Sequence, residues 1–182
     1  MSAARGRETR RASPEAGVYS ALPEVFFRPA VPADIPVLLR IESACFCGDR
    51  LSSRSFRHLL TRGHAACTVM IHGNLIVGYA LVLFSVARSW GRLYSFAIDP
   101  PFQSKGLGGV LLSVAEQAVR MRRRDRLRLE VRRDNLSAIA LYLKQGYRQF
   151  GVYADYYEDH MEALRLEKTL GPFEAPVLSV TP

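Results

Sequence analysis

Gln103-Ser104-Lys105-Gly106-Leu107-Gly108 separates the strand-like run Arg92–Ile98 from a segment in which Leu107, Val110, Leu111, Val114, Ala115 and Ala118 recur at helical spacing. A strand, a turn of small residues and a helix in that order make a cradle for an anion. The start of a helix carries roughly half a positive charge and N–H groups without intrahelical acceptors. Glycine lets the backbone approach a phosphate with no side chain between them. The run therefore predicts a β–turn–α unit and, with it, an α/β fold. By itself it is equally compatible with a glycine-rich turn into a helix.

Working outward, the chain alternates strand and helix signals. Val25–Arg28 reads as a first strand stopped by Pro29, and Pro32, Asp34 and Pro36 mark a helix start. That helix fades near Cys45-Phe46, and Ser52 is placed to cap a second one through Leu60. Ala66–His72 and Leu75–Ser85 flank Gly73-Asn74, a hairpin signal. After the long helix, Arg126–Arg132 alternates strictly, with Leu127, Leu129 and Val131 opposite Arg128, Glu130 and Arg132. A helix over Leu136–Gln145 is expected to bury Leu136, Ile139, Ala140 and Leu143, with Gly146 as its stop. Tyr147–Tyr153 and Ala163–Leu170 complete the strands. The order βααβββαβαββ predicts a single α/β domain with a mixed sheet, each β–helix–β crossover giving parallel strands.

Composition bounds the rest. With 48% hydrophobic and 23% charged residues, the chain reads as a globular protein able to fold without disulfide or metal. Residues 1–22 read as a disordered basic arm, 23–170 as the folded domain and 171–182 as a tail. Three cysteines, Cys45, Cys47 and Cys67, form no disulfide framework and point to a reducing compartment; no apolar run reaches the ~20 residues of a membrane span. A cytoplasmic protein is expected. Cys45-x-Cys47, with His58 and His64, matches no common zinc spacing, so no metal is predicted. The net charge is +8. Arginines 5, 7, 10 and 11 lie in the arm, and a second cluster runs from Arg120 to Arg128. These suit RNA, a ribosome or an acidic ligand, and equally a solvated helix end.

Several segments carry further motifs in register: Leu93-Tyr94-Ser95-Phe96-Ala97-Ile98-Asp99-Pro100, Leu129-Glu130-Val131-Arg132, Asn135-Leu136-Ser137-Ala138-Ile139-Ala140-Leu141-Tyr142, and Tyr156 to Ala163. With the Gln103–Gly108 loop they resemble the GNAT superfamily of acetyl-CoA-dependent N-acetyltransferases, and within it the bacterial ribosomal-protein N-terminal-alanine acetyltransferases. The likeness covers about residues 26–170. It implies a mixed, mostly antiparallel sheet of about seven strands with a splayed central pair, flanked by about four helices. It also implies acetyl-CoA as cosubstrate, with backbone groups of Phe96, Ala97 and Ile98 on the pantetheine. Amides of Gln103, Ser104, Lys105, Gly106, Leu107, Gly108 and Gly109 would receive the pyrophosphate. Lys105 either adds charge there or is simply exposed.

The same resemblance assigns Glu130 as general base, with Arg128 and Arg132 sharing its strand face and keeping it ionised. The alternative is an ion-paired surface residue. Tyr142 is the candidate acid for the coenzyme A thiolate, expected at the edge of its helix's apolar stripe, or a packing tyrosine. Asn135 can cap the helix and also contact the coenzyme. Acceptor recognition falls to the 43–55 connection and the 153–162 turn, where Tyr156 and Tyr157 are either peptide contacts or surface aromatics. His160 stands where the family pattern suggests glycine. The expected acceptor is a protein N-terminus; a small amine, a lysine side chain, or a noncatalytic ribosome-associated role are the other readings. Monomer and dimer both remain open.

Overall fold

The computed structural model describes residues 24–171 apart from Asp49 and Arg62; the expected basic arm and all of the expected tail except Gly171 lie outside the described residues. Seven strands form one sheet: β1 (Phe26–Pro29), β2 (Ala65–His72), β3 (Leu75–Phe84), β4 (Trp90–Ile98), β5 (Arg126–Arg132), β6 (Arg148–Tyr153) and β7 (Ala163–Thr169). Among the described residues four α-helices accompany them: α1 (Ile35–Cys45), α2 (Ser53–Thr61), α3 (Leu107–Met121) and α4 (Leu136–Lys144). The sheet order is β1-β2-β3-β4-β5-β7-β6, and among the described residues only β4 and β5 pair in parallel.

The crossover expectation needs two corrections. β1 and β2 are antiparallel neighbours although helices join them. Two successive helices run out and back, so the chain re-enters the sheet from the far end. β5 and β6 do point the same way, but β7 inserts between them and pairs antiparallel with both. Pro29 does not stop β1; it pairs with Thr68 on the sheet's edge strand, where a missing N–H can face outward.

Local chemistry sets the element ends. The Ser52 hydroxyl accepts from the Ser55 amide at 3.1 Å, capping α2. Asp34 accepts from the Val31 amide at 2.8 Å and pairs with Arg28, closing the turn into α1. Gly146 ends α4 at φ +87°, a conformation that disfavours a side chain.

Two apolar layers clasp the sheet. On one face Leu107, Leu111, Leu112, Ala115 and Val119 of α3 lie buried against Leu93, Leu127 and Leu129. Each such leucine contributes about 1.5–3 kcal/mol by leaving water. On the other face Leu38, Ile41 and Phe56 from α1 and α2 meet Val69, Tyr79 and Leu81. This second layer covers β2 and β3 but not the β5–β7–β6 half of the sheet, where arginines and aromatic rings stand instead.

Candidate functional site

The site begins with a bulge. Between Leu81 and Val82 of β3 the register with β4 slips, so that Tyr94 has no partner. Before the bulge Leu93 packs in the α3 layer; beyond it Ser95 and Ala97 turn to the α1–α2 side while Phe96 and Ile98 enter the α3 layer. β4 pairs with β5 only from Trp90 to Leu93, and then the two strands part. The Asp99 amide bonds the Val77 carbonyl at 2.8 Å, and strand alternation therefore turns the Ala97 backbone toward β3 as well. The N–H and C=O groups of Phe96 and Ile98 face the opened gap. The Ile98 carbonyl accepts from Gln103 Nε2 at 2.8 Å and from Cys45 Sγ at 3.3 Å.

Where β4 ends, a short 3-10 turn over Pro100–Phe102 delivers the chain to α3. Ser104 and Gly106 have φ of +60° and +77°. Gly106 is the N-cap of α3, and the amides of Ser104 to Gly108 take no acceptor among the described residues. Lys105 is exposed with its ammonium 5.1 Å from the Phe102 ring centre. Gly108 and Gly109 carry a second constraint that the sequence did not show. A Cβ on Gly108 would lie 3.1 Å from Leu141 Cδ2, and one on Gly109 would lie 2.9 Å from Gln145 Nε2. The smallness of Gly108 lets Leu141 of α4 reach the first turn of α3, whereas at Gly109 only the flexible Gln145 amide would have to move.

α4 is rotated relative to expectation. Leu136 and Leu143 are 73% and 52% exposed and Ala140 is exposed, whereas Tyr142 is only 6% exposed. Ala138, Ile139 and Tyr142 face the core instead, about one residue, or 100°, round the helix. Tyr142 is thus not at the stripe's edge but at its centre, its ring 5.6 Å from Tyr147 and 6.3 Å from Phe96. Burial, then the nearby Tyr157, pushes the phenol's pKa up, so it stays protonated at neutral pH. Asn135 caps α4, its Oδ1 accepting from the Ala138 amide at 3.1 Å.

Glu130 lies on the opposite face of the sheet. Its partner is not Arg128 or Arg132 but Arg92 of β4, whose Nε donates to Glu130 Oε2 at 2.7 Å. Arg92 Nη2 donates to the Tyr156 hydroxyl at 2.7 Å. Burial opposes the Arg92 charge, but Glu130 and Tyr156 outweigh it and hold its pKa up. Arg128 instead pairs with Glu167, and Arg132 with Asp134 and Asp159. Arg132 reaches across to the β6–β7 turn and holds the Asp159 carboxyl down to about 2. That turn also stacks Tyr156 on Tyr153 and sets it edge-on to Tyr157, whose ring lies under Arg132. His160 adopts φ +64°, the glycine-like conformation, and bonds Asp155. A Cβ on Gly48 in the α1–α2 connection would lie 4.0 Å from Glu158, so both expected acceptor loops meet over this face.

Two participants had no sequence signal of their own. Arg92 is identified only by the parallel register that sets it beside Arg128 and Glu130. Glu42 of α1 is buried beneath the bulge, accepting from the Leu51 amide at 3.2 Å and the Ser95 hydroxyl at 3.5 Å. Burial raises its pKa against those bonds. The Arg120–Arg128 cluster is largely consumed internally: Arg122 and Arg124 bond backbone carbonyls, and Arg126 joins Arg128 on Glu167.

Among the described residues no helix is long and apolar enough to cross a membrane. The model of the acetyltransferase (GNAT) family matches residues 35–147. The chain is 34% identical over 88 residues to ribosomal protein bS18-alanine N-acetyltransferase of Salmonella typhimurium; the match covers 47% of this chain and 60% of that protein, under two thirds of its length. It is 27% identical to a putative bS18-alanine N-acetyltransferase of Bacillus subtilis, over 71% of this chain and 84% of the relative. The fold superposes on the crystal structure of the ribosomal-protein-S18-alanine N-acetyltransferase from Escherichia coli with TM-score 0.74 at 22% identity, covering 85% of this chain and 99% of that one.

Proposed function

Because this chain belongs to the acetyltransferase (GNAT) family, we propose that it transfers an acetyl group from acetyl-CoA to a primary amine, the N-terminal α-amino group of a polypeptide. The observation that carries this reading is the parting of β4 from β5 after Leu93. It leaves a slot through the sheet with a carboxylate on one face and a buried phenol on the other. Relatives named for acetylating the N-terminal alanine of a ribosomal protein support the choice of acceptor.

The residues fit the cosubstrate. The N–H and C=O of Phe96 and the N–H of Ile98 offer strand-like hydrogen bonds to an amide-bearing arm, and the Ser104–Gly108 amides at the start of α3 suit a pyrophosphate. When bound, acetyl-CoA supplies the acetyl group as a thioester. Glu130, approached from the Tyr156 side, accepts the proton that the amine sheds as it attacks the acetyl carbonyl directly. Arg92 holds that carboxylate in place. Tyr142 gives its phenolic proton to the departing sulfur. Burial keeps the phenol protonated, so the proton is in place when the thiolate leaves, and a thiolate formed in the same apolar surroundings is itself a stronger base than in water. An α-amino group titrates near 7.8 and a lysine near 10.4, so deprotonating lysine costs about 3.5 kcal/mol more. A single carboxylate is therefore better matched to a terminus.

The test is incubation with acetyl-CoA and a mixed pool of N-terminal peptides, N-blocked lysine peptides and polyamines, read by mass spectrometry. Acetylated peptide N-termini are expected. Acetylation confined to lysines or polyamines overturns the acceptor, and no acetylation of any amine overturns the activity.

A further inference from the structure

The face that carries Glu130 opens into a cavity of about 570 Å³ whose charge is lopsided. Four arginines line it, Arg88, Arg92, Arg128 and Arg165, against one carboxylate, Glu130. Arg92 is held by Glu130 and Arg128 by Glu167. Arg88 and Arg165 have no carboxylate partner among the described residues. Each is held by rings instead: Arg88 lies 4.6 Å from the Trp90 centroid, and Arg165 lies 4.4 Å from Phe150 and 4.3 Å from Tyr153. Stacking engages the flat face of a guanidinium and leaves its N–H edge for an in-plane acceptor, the geometry that grips a carboxylate with two bonds. Arg165 Nε is buried without an acceptor among the described residues.

Register places this charge beside the chemistry. Arg165 is paired directly across from Glu130 between β7 and β5, which sets their Cβ atoms about 5 Å apart. Trp90, under Arg88, precedes Arg92 by two residues on β4. An extended peptide advances about 3.3–3.6 Å per residue. An acceptor whose amine sits at Glu130 would bring its next few side chains past Arg165 and then Arg88.

We propose that the acceptor is an acidic polypeptide N-terminus, with Asp or Glu among roughly its second to fourth residues, selected by Arg165 and Arg88. The proposal rests on the reading of Glu130 as base and of its face as the acceptor side. Neutral side chains would leave these stacked cations unpaired, and a basic segment would meet net repulsion.

The experiment compares kcat/KM for three peptides sharing an N-terminal alanine, followed by Asp-Glu-Asp, Asn-Gln-Asn or Lys-Arg-Lys. The acidic peptide is expected to exceed the neutral one at least tenfold, chiefly through KM, and the advantage should shrink when salt rises from 50 to 300 mM. Arg165→Gln should reduce the acidic-to-neutral ratio severalfold. Arg88→Glu, at an exposed loop position, should lower that ratio and raise the basic-to-neutral ratio. A misfolded enzyme cannot gain a substrate preference in that way. Equal rates on all three peptides, a preference for the basic one, or ratios unmoved by both variants overturn the proposal while leaving N-terminal acetylation standing. If none of the three is acetylated while other amines are, this proposal and the N-terminal reading fall together.

Discussion

Replacing Tyr142 by Phe removes one oxygen and leaves the ring between Phe96 and Tyr147, so it separates chemistry from packing. The buried phenol has a raised pKa and remains protonated well above neutrality, so its proton is present across the range where an α-amine is neutral. Losing a positioned general acid costs about 10²–10⁴ in rate. At 1.36 kcal/mol per tenfold this is about 2.7–5.4 kcal/mol of barrier. The groups suited to the coenzyme are the Phe96 amide and carbonyl, the Ile98 amide and the amides of the α3 start, none of them altered. Steady-state turnover at saturating acetyl-CoA should therefore fall at least a hundredfold, while the calorimetric Kd for acetyl-CoA changes less than about threefold. Thermal unfolding should move by only a few degrees. Turnover within threefold of the parent enzyme would refute the acid assignment. A coenzyme affinity lost in step with turnover would mean that the hydroxyl acts in binding instead.

Other perturbations follow from the same geometry. Gly108→Glu puts a carboxylate at the helix start proposed to take the pyrophosphate and a Cβ 3.1 Å from Leu141; acetyl-CoA should bind at least a hundredfold more weakly by calorimetry, and normal binding refutes the cradle. Glu42 has a raised folded pKa, so its protonation contributes stability that is complete below its unfolded value near 4.3 and is lost as pH rises through the folded value. Urea melts should show Glu42→Gln gaining on the parent protein as pH rises from 4 toward neutrality; a difference independent of pH contradicts this. On α3 the buried Glu116 is held by Lys168 at 2.8 Å, with Arg120 at 3.6 Å. Lys168→Met should cost about 3 kcal/mol, at the low end for breaking a buried pair because Arg120 remains. Chemical denaturation giving less than about 1 kcal/mol would show that Arg120 alone suffices.

What was legible in the sequence was what neighbouring residues decide together. Ser52 and Asn135 announced their caps, Gly73-Asn74 its hairpin, and the Gln103–Gly108 run its turn into a helix. The alternation of Arg126–Arg132 correctly separated the core side from the charged side. Contacts made across strands were not legible. Arg128 and Arg132 share a face with Glu130, but successive same-face residues on one strand lie about 7 Å apart, and the adjoining strands provide nearer partners. Arg92 therefore reached Glu130 first, leaving Arg128 for Glu167. The bulge opposite Leu81–Val82 left no mark, because Leu93 to Ile98 is apolar enough to be read with either face inward. In α4, nearly every position is apolar, so periodicity could not select a face; packing of Leu141 onto Gly108 did.

That last contact has a consequence for which carriers the protein can use. With no side chain on Gly108, Leu141 of α4 reaches the first turn of α3, and its neighbour Tyr142 is set at an offset from the α3 start. On the proposed chemistry, the two helices act as a ruler. One end grips the pyrophosphate and the other marks where sulfur must arrive. A thioester on a shorter arm could fill the phosphate end or meet the phenol, but not both at once. The Gly108–Leu141 contact would thereby measure the length of the acyl carrier, and truncated thioesters would be poor donors without a single side chain devoted to recognising the arm.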